Sequence, residues 1–318
     1  MVMILPIKRL IIVGAGASFS YGLPLANDLL QRVGDRIARL ERVRVDARRK
    51  GYQPSSLDIS GGDDLDETVL ANMIAPLTLE LVAKTFREHL VQQNLDDFVR
   101  DHPSMTNVVS LLIAVTLFFS MYRKQEGGAW QLRSELRKSV RPIKEDWMRL
   151  LVGVVRPKAS AENKLSIISF NYDSLLERSM KMYWSGSEFE YAKIEDAVEF
   201  VYPHGQFSDL PEHIHNPRDY LTKQAAQLKL GAKRDQVARD RAKAIVGKSN
   251  KIFSVGFSFS DDNARLLGFD NPEAFGKLYV QNYKGSDVRL NRLLVQYNST
   301  RVDEHDMNEL VQNGFFEQ

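Results

Sequence analysis

The feature that most constrains this chain is the run Leu10-Ile11-Ile12-Val13, which passes directly into Gly14-Ala15-Gly16-Ala17-Ser18. Consecutive apolar, mostly β-branched residues describe a strand buried on both faces, as in a parallel sheet. Two glycines with small residues between and after them describe a tight turn, and a helical pattern follows from Leu25. A strand, a glycine turn and a helix start make the joint at which α/β proteins hold a nucleotide phosphate. The glycines leave room for close backbone approach, and Ser18 adds a hydroxyl donor. Phe19 stands where a dinucleotide fingerprint has its third glycine, so the turn by itself leaves a plain strand–turn–helix joint equally open.

The next stretch is helical. Leu29, Leu30, Val33, Ile37 and Leu40 recur at three- and four-residue steps and predict a helix over 25–49. Residues 50–66 are rich in Gly, Pro, Ser and Asp and read as an exposed loop. Helical spacing returns over 69–90 with Leu70, Ile74, Leu77, Leu81 and Phe86, and 94–98 reads as a capped short helix. The segment Met105 to Tyr122 carries no charge, so a membrane span has to be weighed. Thr106, Asn107, Ser110, Thr116 and Ser120 interrupt it, and a buried core helix is the expectation. Trp130 and Trp147 flank a further charged helical region.

Strand signals resume at Leu165-Ser166-Ile167-Ile168-Ser169-Phe170, followed by Asn171-Tyr172-Asp173 and a helix start at which Ser174 and Glu177 fit a capping box. Polar residues at the carboxyl end of a buried strand are where open α/β sheets place ligand contacts, although simple helix capping uses the same residue types. Residues 199–202 read as another strand leading into Pro203-His204-Gly205, a turn in which a histidine is poorly suited to being mere core. His213 and His215 have no third ligand at metal spacing and are taken as surface residues. Ten Lys or Arg against three Asp over 218–251 suggest a solvated basic helix. The strand 251–255 then runs into Gly256-Phe257-Ser258-Phe259-Ser260-Asp261-Asp262-Asn263, with a last strand at 278–280 and a helix over 287–297.

Composition excludes several chemistries. With no cysteine there is no disulfide, thiol nucleophile or cysteine-held zinc. A net charge of +2 implies no overall affinity for nucleic acid. The first residues show no secretory leader, so a cytoplasmic location is expected.

Four strand ends thus share one character: GAGAS, FNYD, PHG and GFSFSDDN. In this order they resemble the sirtuin-like superfamily, in particular the zinc-less bacterial branch whose members hydrolyse NAD in antiphage defence and abortive infection. The resemblance implies an α/β fold, a Rossmann-like parallel sheet with a large helical insertion. It would be a single domain over 1–318, with Rossmann-like parts at about 1–24 and 164–318 and the insertion at about 25–155. It also implies residue roles. Gly14, Ala15, Gly16, Ala17 and Ser18 match the NAD diphosphate loop, and Asn171 and Asp173 match the Asn–x–Asp pair beside the nicotinamide ribose. His204 matches the active-site histidine. Gly256 and Ser258 match the adenosine-ribose loop, with Asp261 and Asn263 as further candidates. Asp97 and Phe98 match a short acidic–aromatic element.

The departures narrow the activity. Deacetylating relatives continue with Gly-Ile-Pro-Asp-Phe-Arg, where this chain has Gly22-Leu23-Pro24-Leu25-Ala26-Asn27, and they hold zinc with four cysteines. The resemblance therefore implies NAD as substrate, no metal, and hydrolysis to nicotinamide and ADP-ribose. Protein deacylation and non-catalytic NAD or ADP-ribose sensing are the alternatives. It further implies a homo-oligomer with a regulator in trans, such as a HerA-like ATPase or an Argonaute-like protein, without membrane or direct nucleic-acid contact.

Overall fold

The structure, a computed structural model, describes residues 9–49, 74, 76–89, 95–126, 128–133, 136, 146–158, 160, 163–184, 193–207, 210–230, 235–281, 288–296 and 302–317. The chain divides into two compact units. One comprises Met1–Tyr21, Arg137–His204 and Asp235–Gln318, the other Gly22–Leu136 and Gly205–Arg234.

The first unit is built on six parallel strands: β1 (Arg9–Val13), β2 (Leu165–Ser169), β3 (Val198–Val201), β4 (Lys251–Val255), β5 (Leu278–Gln281) and β6 (Val302–Asp303). Their spatial order is β3-β2-β1-β4-β5-β6. This is the strand order of Rossmann-like sheets, in which the chain works outward from β1 in one direction and then returns to work outward in the other. A crevice at the carboxyl ends of the central strands is the geometric consequence, and β1 lies on its axis.

The apolar runs explain why these segments are strands at the centre. Leu10, Ile11, Ile12 and Val13 are all at most 1% exposed, because helices cover both faces of the sheet. Leu10 and Ile12 point into a cluster with Ile168, Val246, Phe259, Phe269, Leu278 and Leu290. Ile11 lies in register with Phe253, whose ring meets Phe315 and Phe316 at 5.5 Å. Strand β6 was not anticipated, since two half-buried residues, Val302 and Asp303, carry no alternating pattern to detect.

In the second unit the helix Ala26–Arg49 buries Leu29, Val33, Ile37 and Leu40, as their spacing requires. The helix Pro76–His89 buries Leu79, Val82, Ala83 and Phe86 and leaves Leu81 51% exposed. Ile74 and Phe86 are buried as expected, whereas Leu81 gives way to Leu79, Val82 and Ala83, because two interleaved sets of apolar residues fit helical spacing and packing selects between them; Leu70 and the side chain of Leu77 lie outside the described residues. The expected loop at 50–66 lies outside the described residues. The charge-free helix, Thr106–Met121, is largely buried, and two of its hydroxyls turn inward to the backbone: Thr116 donates to the Leu112 carbonyl at 2.7 Å and Ser120 to that of Thr116 at 3.0 Å. Together with the turn before it, the 19-residue segment Pro103–Met121 is long and apolar enough to cross a membrane by length and composition alone, as the buried core helix of a globular domain also can be.

Two further expectations change. Trp130 opens a strand, Trp130–Leu132, which pairs antiparallel with Tyr122–Lys124 and with His213–Ile214, while 137–145 of the helical region expected between Trp130 and Trp147 lie outside the described residues. A tight turn closes this hairpin, with Gln125 N–H donating to the Ala129 carbonyl at 2.9 Å, and a run this short has no helical stripe to sustain. The basic stretch 218–251 is two helices, Pro217–Gln227 and Gln236–Lys248, one in each unit, each started by its own cap, Asn216 and Asp235.

Candidate functional site

The turn after β1 is shaped by a second turn, the one after β4. Gly14 N–H donates to the Val255 carbonyl and Gly16 N–H to the Gly256 carbonyl, each at 3.0 Å. A Cβ at Gly14 would lie 2.4 Å from the Gly256 oxygen, and one at Gly16 2.8 Å from its Cα. Gly256 itself has φ +56°, and a Cβ there would sit 2.1 Å from Ala17 N. The three glycines therefore meet backbone to backbone, and no L side chain fits among them. Ala17 N–H is also committed, to the Gly14 carbonyl at 3.0 Å. The two turns are tied outward as well. Gly256 N–H donates to Gln281 Oε1 and Gln281 Nε2 donates to the His305 carbonyl, both at 3.0 Å. Gln281, at the end of β5, was not singled out from sequence, because only its partners distinguish it from any strand-end amide.

Past this joint the chain forms a short 3-10 helix, Ala15–Tyr21, which buries Ser18. Asn171 and Asp173 come to it from the end of β2. Asn171 Nδ2 donates to Ser18 Oγ at 2.9 Å, Ser18 Oγ donates to Asp173 Oδ1 at 3.4 Å, and Leu175 N–H donates to the same oxygen at 3.0 Å. These bonds fix the direction of the chain of three. A serine hydroxyl has one proton; given to the carboxylate, it leaves the oxygen able only to accept, so the amide NH2 of Asn171 must face it. Asn171 Oδ1 is then turned the other way. It is buried and, among the described residues, has no hydrogen-bond partner. A buried acceptor of this kind costs free energy unless a donor fills it.

Asp173 is 7% exposed, and burial pushes its carboxyl up to about 6 against the hydrogen bonds from Leu175 and Ser18, which pull it down. It therefore exchanges its proton near pH 6 and is mostly ionised at neutral pH. Next to it, Tyr202 donates to Glu177 at 2.8 Å, and its phenol is pushed well up by burial and by the Glu177 charge. Glu177 also pairs with Lys181 at 2.6 Å. The first amide of the helix Leu175–Trp184 is thus capped by Asp173, while the carboxylate of Glu177 reaches Lys181 and Tyr202.

His204 follows β3, is 6% exposed, and lies edge-on to Phe170 at 5.3 Å and near Tyr172 at 6.3 Å. Those two aromatic rings flank Asn171 in sequence, so His204 and Asn171 share one end of the sheet. Phe170 continues to Phe257 at 4.8 Å, forming an aromatic wall along the ends of β2 and β4.

The structure thus brings Gly14, Gly16, Ala17 and Gly256 into one backbone joint and Ser18, Asn171 and Asp173 into one polar chain, with His204 against the residues that flank Asn171. Ala15 is half-buried at the start of the short helix. Ser258 and Asp261 are exposed and Asn263 half-buried on the segment leaving β4, where Ser260 precedes the helix Asp261–Leu267. Asp97 and Phe98 belong to the second unit. There Asp97 pairs with Arg100 at 2.7 Å, and Phe98 packs edge-on to Phe86 at 5.0 Å. No group of side chains able to hold a metal ion occurs among the described residues.

Asp146 and Trp147 were also missed. Asp146 caps the helix Trp147–Val155, accepting from Arg149 N–H at 3.2 Å, and takes the Tyr21 hydroxyl at 2.7 Å and that of Tyr183. The Trp147 indole N–H donates to the Ala17 carbonyl at 3.0 Å. An Asp before an apolar helix is a readable cap, but nothing local announces partners that lie more than a hundred residues away.

No family profile matches the chain, and no curated protein matches it. Among solved structures the chain is similar to one described as "Structural Basis for the Mechanism and Regulation of Sir2 Enzymes", with 12% identity, 96% of this chain and 90% of that chain covered, and a TM-score of 0.43. A likeness of that order carries no weight for activity, and the fold rests on the strand order itself.

Proposed function

We propose that this chain is a sirtuin-like NAD glycohydrolase, which cleaves the bond between nicotinamide and ribose to give nicotinamide and ADP-ribose. The observation that carries the reading is the directed chain Asn171–Ser18–Asp173, which leaves Asn171 Oδ1 as a buried acceptor without a donor at the carboxyl end of β2. A ribose hydroxyl or a water molecule is the donor such an atom needs. Asp173, poised near neutrality, supplies negative charge when ionised, which suits the cationic pyridinium of NAD and the oxocarbenium-like transition state that follows its departure.

The chemistry needs little else. Nicotinamide leaves NAD as a neutral molecule, so no general acid has to protonate it, in contrast to the paired carboxylates of ordinary glycosidases. Asn171 orients the hydroxyl or water through its acceptor oxygen. His204 accepts the proton. The aromatic wall of Phe170 and Phe257 keeps bulk water from the developing charge. The diphosphate is assigned to the Gly14–Ser18 turn and the adenosine ribose to Gly256, Ser258, Asp261 and Asn263. Because the amides of Gly14, Gly16 and Ala17 are engaged by protein carbonyls, the diphosphate is expected to rely on the remaining groups of that turn. The resemblance in sequence supports a cytoplasmic effector of antiphage defence. It would work as a homo-oligomer and be released by a regulator in trans, of HerA-like ATPase or Argonaute-like type.

Nicotinamide release from NAD tests the reading. Asn171→Ala and His204→Ala are each expected to lose at least about a hundredfold in rate while retaining NAD binding. Undiminished release by His204→Ala would remove it from the mechanism. Binding of NAD without any release would favour the sensing alternative, and strict dependence on an acyl-lysine peptide the deacylase.

A further inference from the structure

We propose that Asp146 and Trp147 are positioning residues of the candidate site, a single anchor that holds Ser18 and Asp173 within hydrogen-bond reach of each other. The inference rests on the functional reading above only for its kinetic arm.

Asp146 is a buried carboxylate, 7% exposed, and among the described residues no cation pairs with it. Burying a carboxylate in this way is costly, and packing alone would be served better by an apolar residue. What the carboxylate supplies is direction. One of its oxygens takes the Tyr21 hydroxyl at 2.7 Å, and the other takes that of Tyr183. Tyr21 ends the short helix that carries Ser18, and Tyr183 lies on the helix whose first amide is capped by Asp173. The neighbouring Trp147, fully buried, holds the Ala17 carbonyl at 3.0 Å, one residue before Ser18. Two adjacent residues thus grip both elements that must meet.

The contact they guard has no slack. At 3.4 Å, the Ser18–Asp173 bond is already long for O–H···O, so a shift of a few tenths of an ångström in either element breaks it. The Ser18 proton would then be free to turn toward Asn171, whose amide would lose its fixed direction. The anchor would therefore act on turnover through Ser18, more than on folding.

The test uses the full chain with Trp147→Phe, Tyr183→Phe and Asp146→Asn, beside Leu278→Val as a core control. The first readout, independent of activity, is the titration of the Asp173 carboxyl by carbon NMR. Loss of the Ser18 bond removes a group that pulls this carboxyl down, so its midpoint should rise in Trp147→Phe and stay put in Leu278→Val. The second readout is nicotinamide release. Trp147→Phe and Tyr183→Phe should lose about tenfold in kcat, with KM for NAD changed less than about threefold, and Asp146→Asn, which keeps an acceptor, should be the mildest. If the midpoint moves but the wild-type chain releases no nicotinamide, the functional reading falls and the anchor stands. If Trp147→Phe leaves both the midpoint and kcat as in the wild type, the anchor is overturned, whatever its effect on stability.

Discussion

Asp173→Asn is expected to reverse the sign of its effect on stability between acid and alkaline pH. In the folded chain this carboxyl titrates at about 6 instead of its ordinary 3.8. Between those values the native state keeps a proton that the unfolded chain has released, so stability falls as pH rises from about 4 to about 6. Above the window the whole penalty on the charged form is present. At about 1.4 kcal/mol per tenfold, it amounts to about 3 kcal/mol. Asparagine removes the charge while its Oδ1 still accepts from Leu175 N–H and Ser18, but its NH2 enters a buried site with no acceptor assigned, a cost of about 1–2 kcal/mol. At pH 8 the variant should be more stable by about 1–2 kcal/mol, and at pH 4, where aspartic acid is itself neutral, less stable by about 1 kcal/mol. Urea unfolding of both proteins at the two pH values, followed by tryptophan fluorescence, gives the comparison; Trp147 and Trp184, both in the same unit as Asp173, report on it. A difference between the two proteins that is the same at pH 4 and pH 8 would refute the account of Asp173 as a buried, strained carboxylate.

Gly256→Ala should be among the most damaging single-methyl additions in the chain, since its φ is +56° and its Cβ would lie 2.1 Å from Ala17 N; a loss of roughly 2–5 kcal/mol is expected in the same urea assay. On the proposed reading, kcat/KM for NAD should fall as pH drops through about 6, because Asp173 then protonates and no longer faces the pyridinium with charge. A rate profile flat from pH 5 to 8 would count against that role. Nicotinamide release should be unaffected by EDTA, measured before and after dialysis against the chelator.

The sheet was largely legible because its central strands are buried on both faces. Leu10–Val13 reads as an unbroken apolar run, Leu165–Ser169 and Lys251–Val255 as β-rich runs broken only by serine after their first residue, each leads into small or polar residues, and each is a strand within one residue of its expected bounds. The site was legible as a set of strand ends and not as a mechanism of contact. Gly14 and Gly16 look from sequence like glycines that admit a ligand, whereas their close neighbour here is Gly256, a residue 242 positions beyond Gly14 by number. Ser18 looked like a phosphate donor and turns out to be occupied by Asn171 and Asp173. Such pairings are set by tertiary packing, which leaves no local period to read. The same applies to Asp146 and Trp147, whose cap is visible and whose partners are not. The hairpin at Tyr122–Leu132 was missed because strands of three residues are too short for alternation to be distinguished from a helical stripe.

The position of β1 at the centre of the sheet has a consequence for biosynthesis. Its partners β2 and β4 begin at Leu165 and Lys251, so this apolar strand leaves the ribosome roughly 150 residues before the nearer of the two strands it pairs with. At about 5–20 residues per second, Leu10–Val13 waits roughly 8–30 s for its first neighbour and longer for its second. During that interval a four-residue apolar segment has amides and carbonyls without their native partners, and another nascent copy could supply the missing strand. Capture by a chaperone that binds short extended apolar segments would protect it, and slowing translation downstream of β1 should lower the soluble yield more than slowing it after Val255.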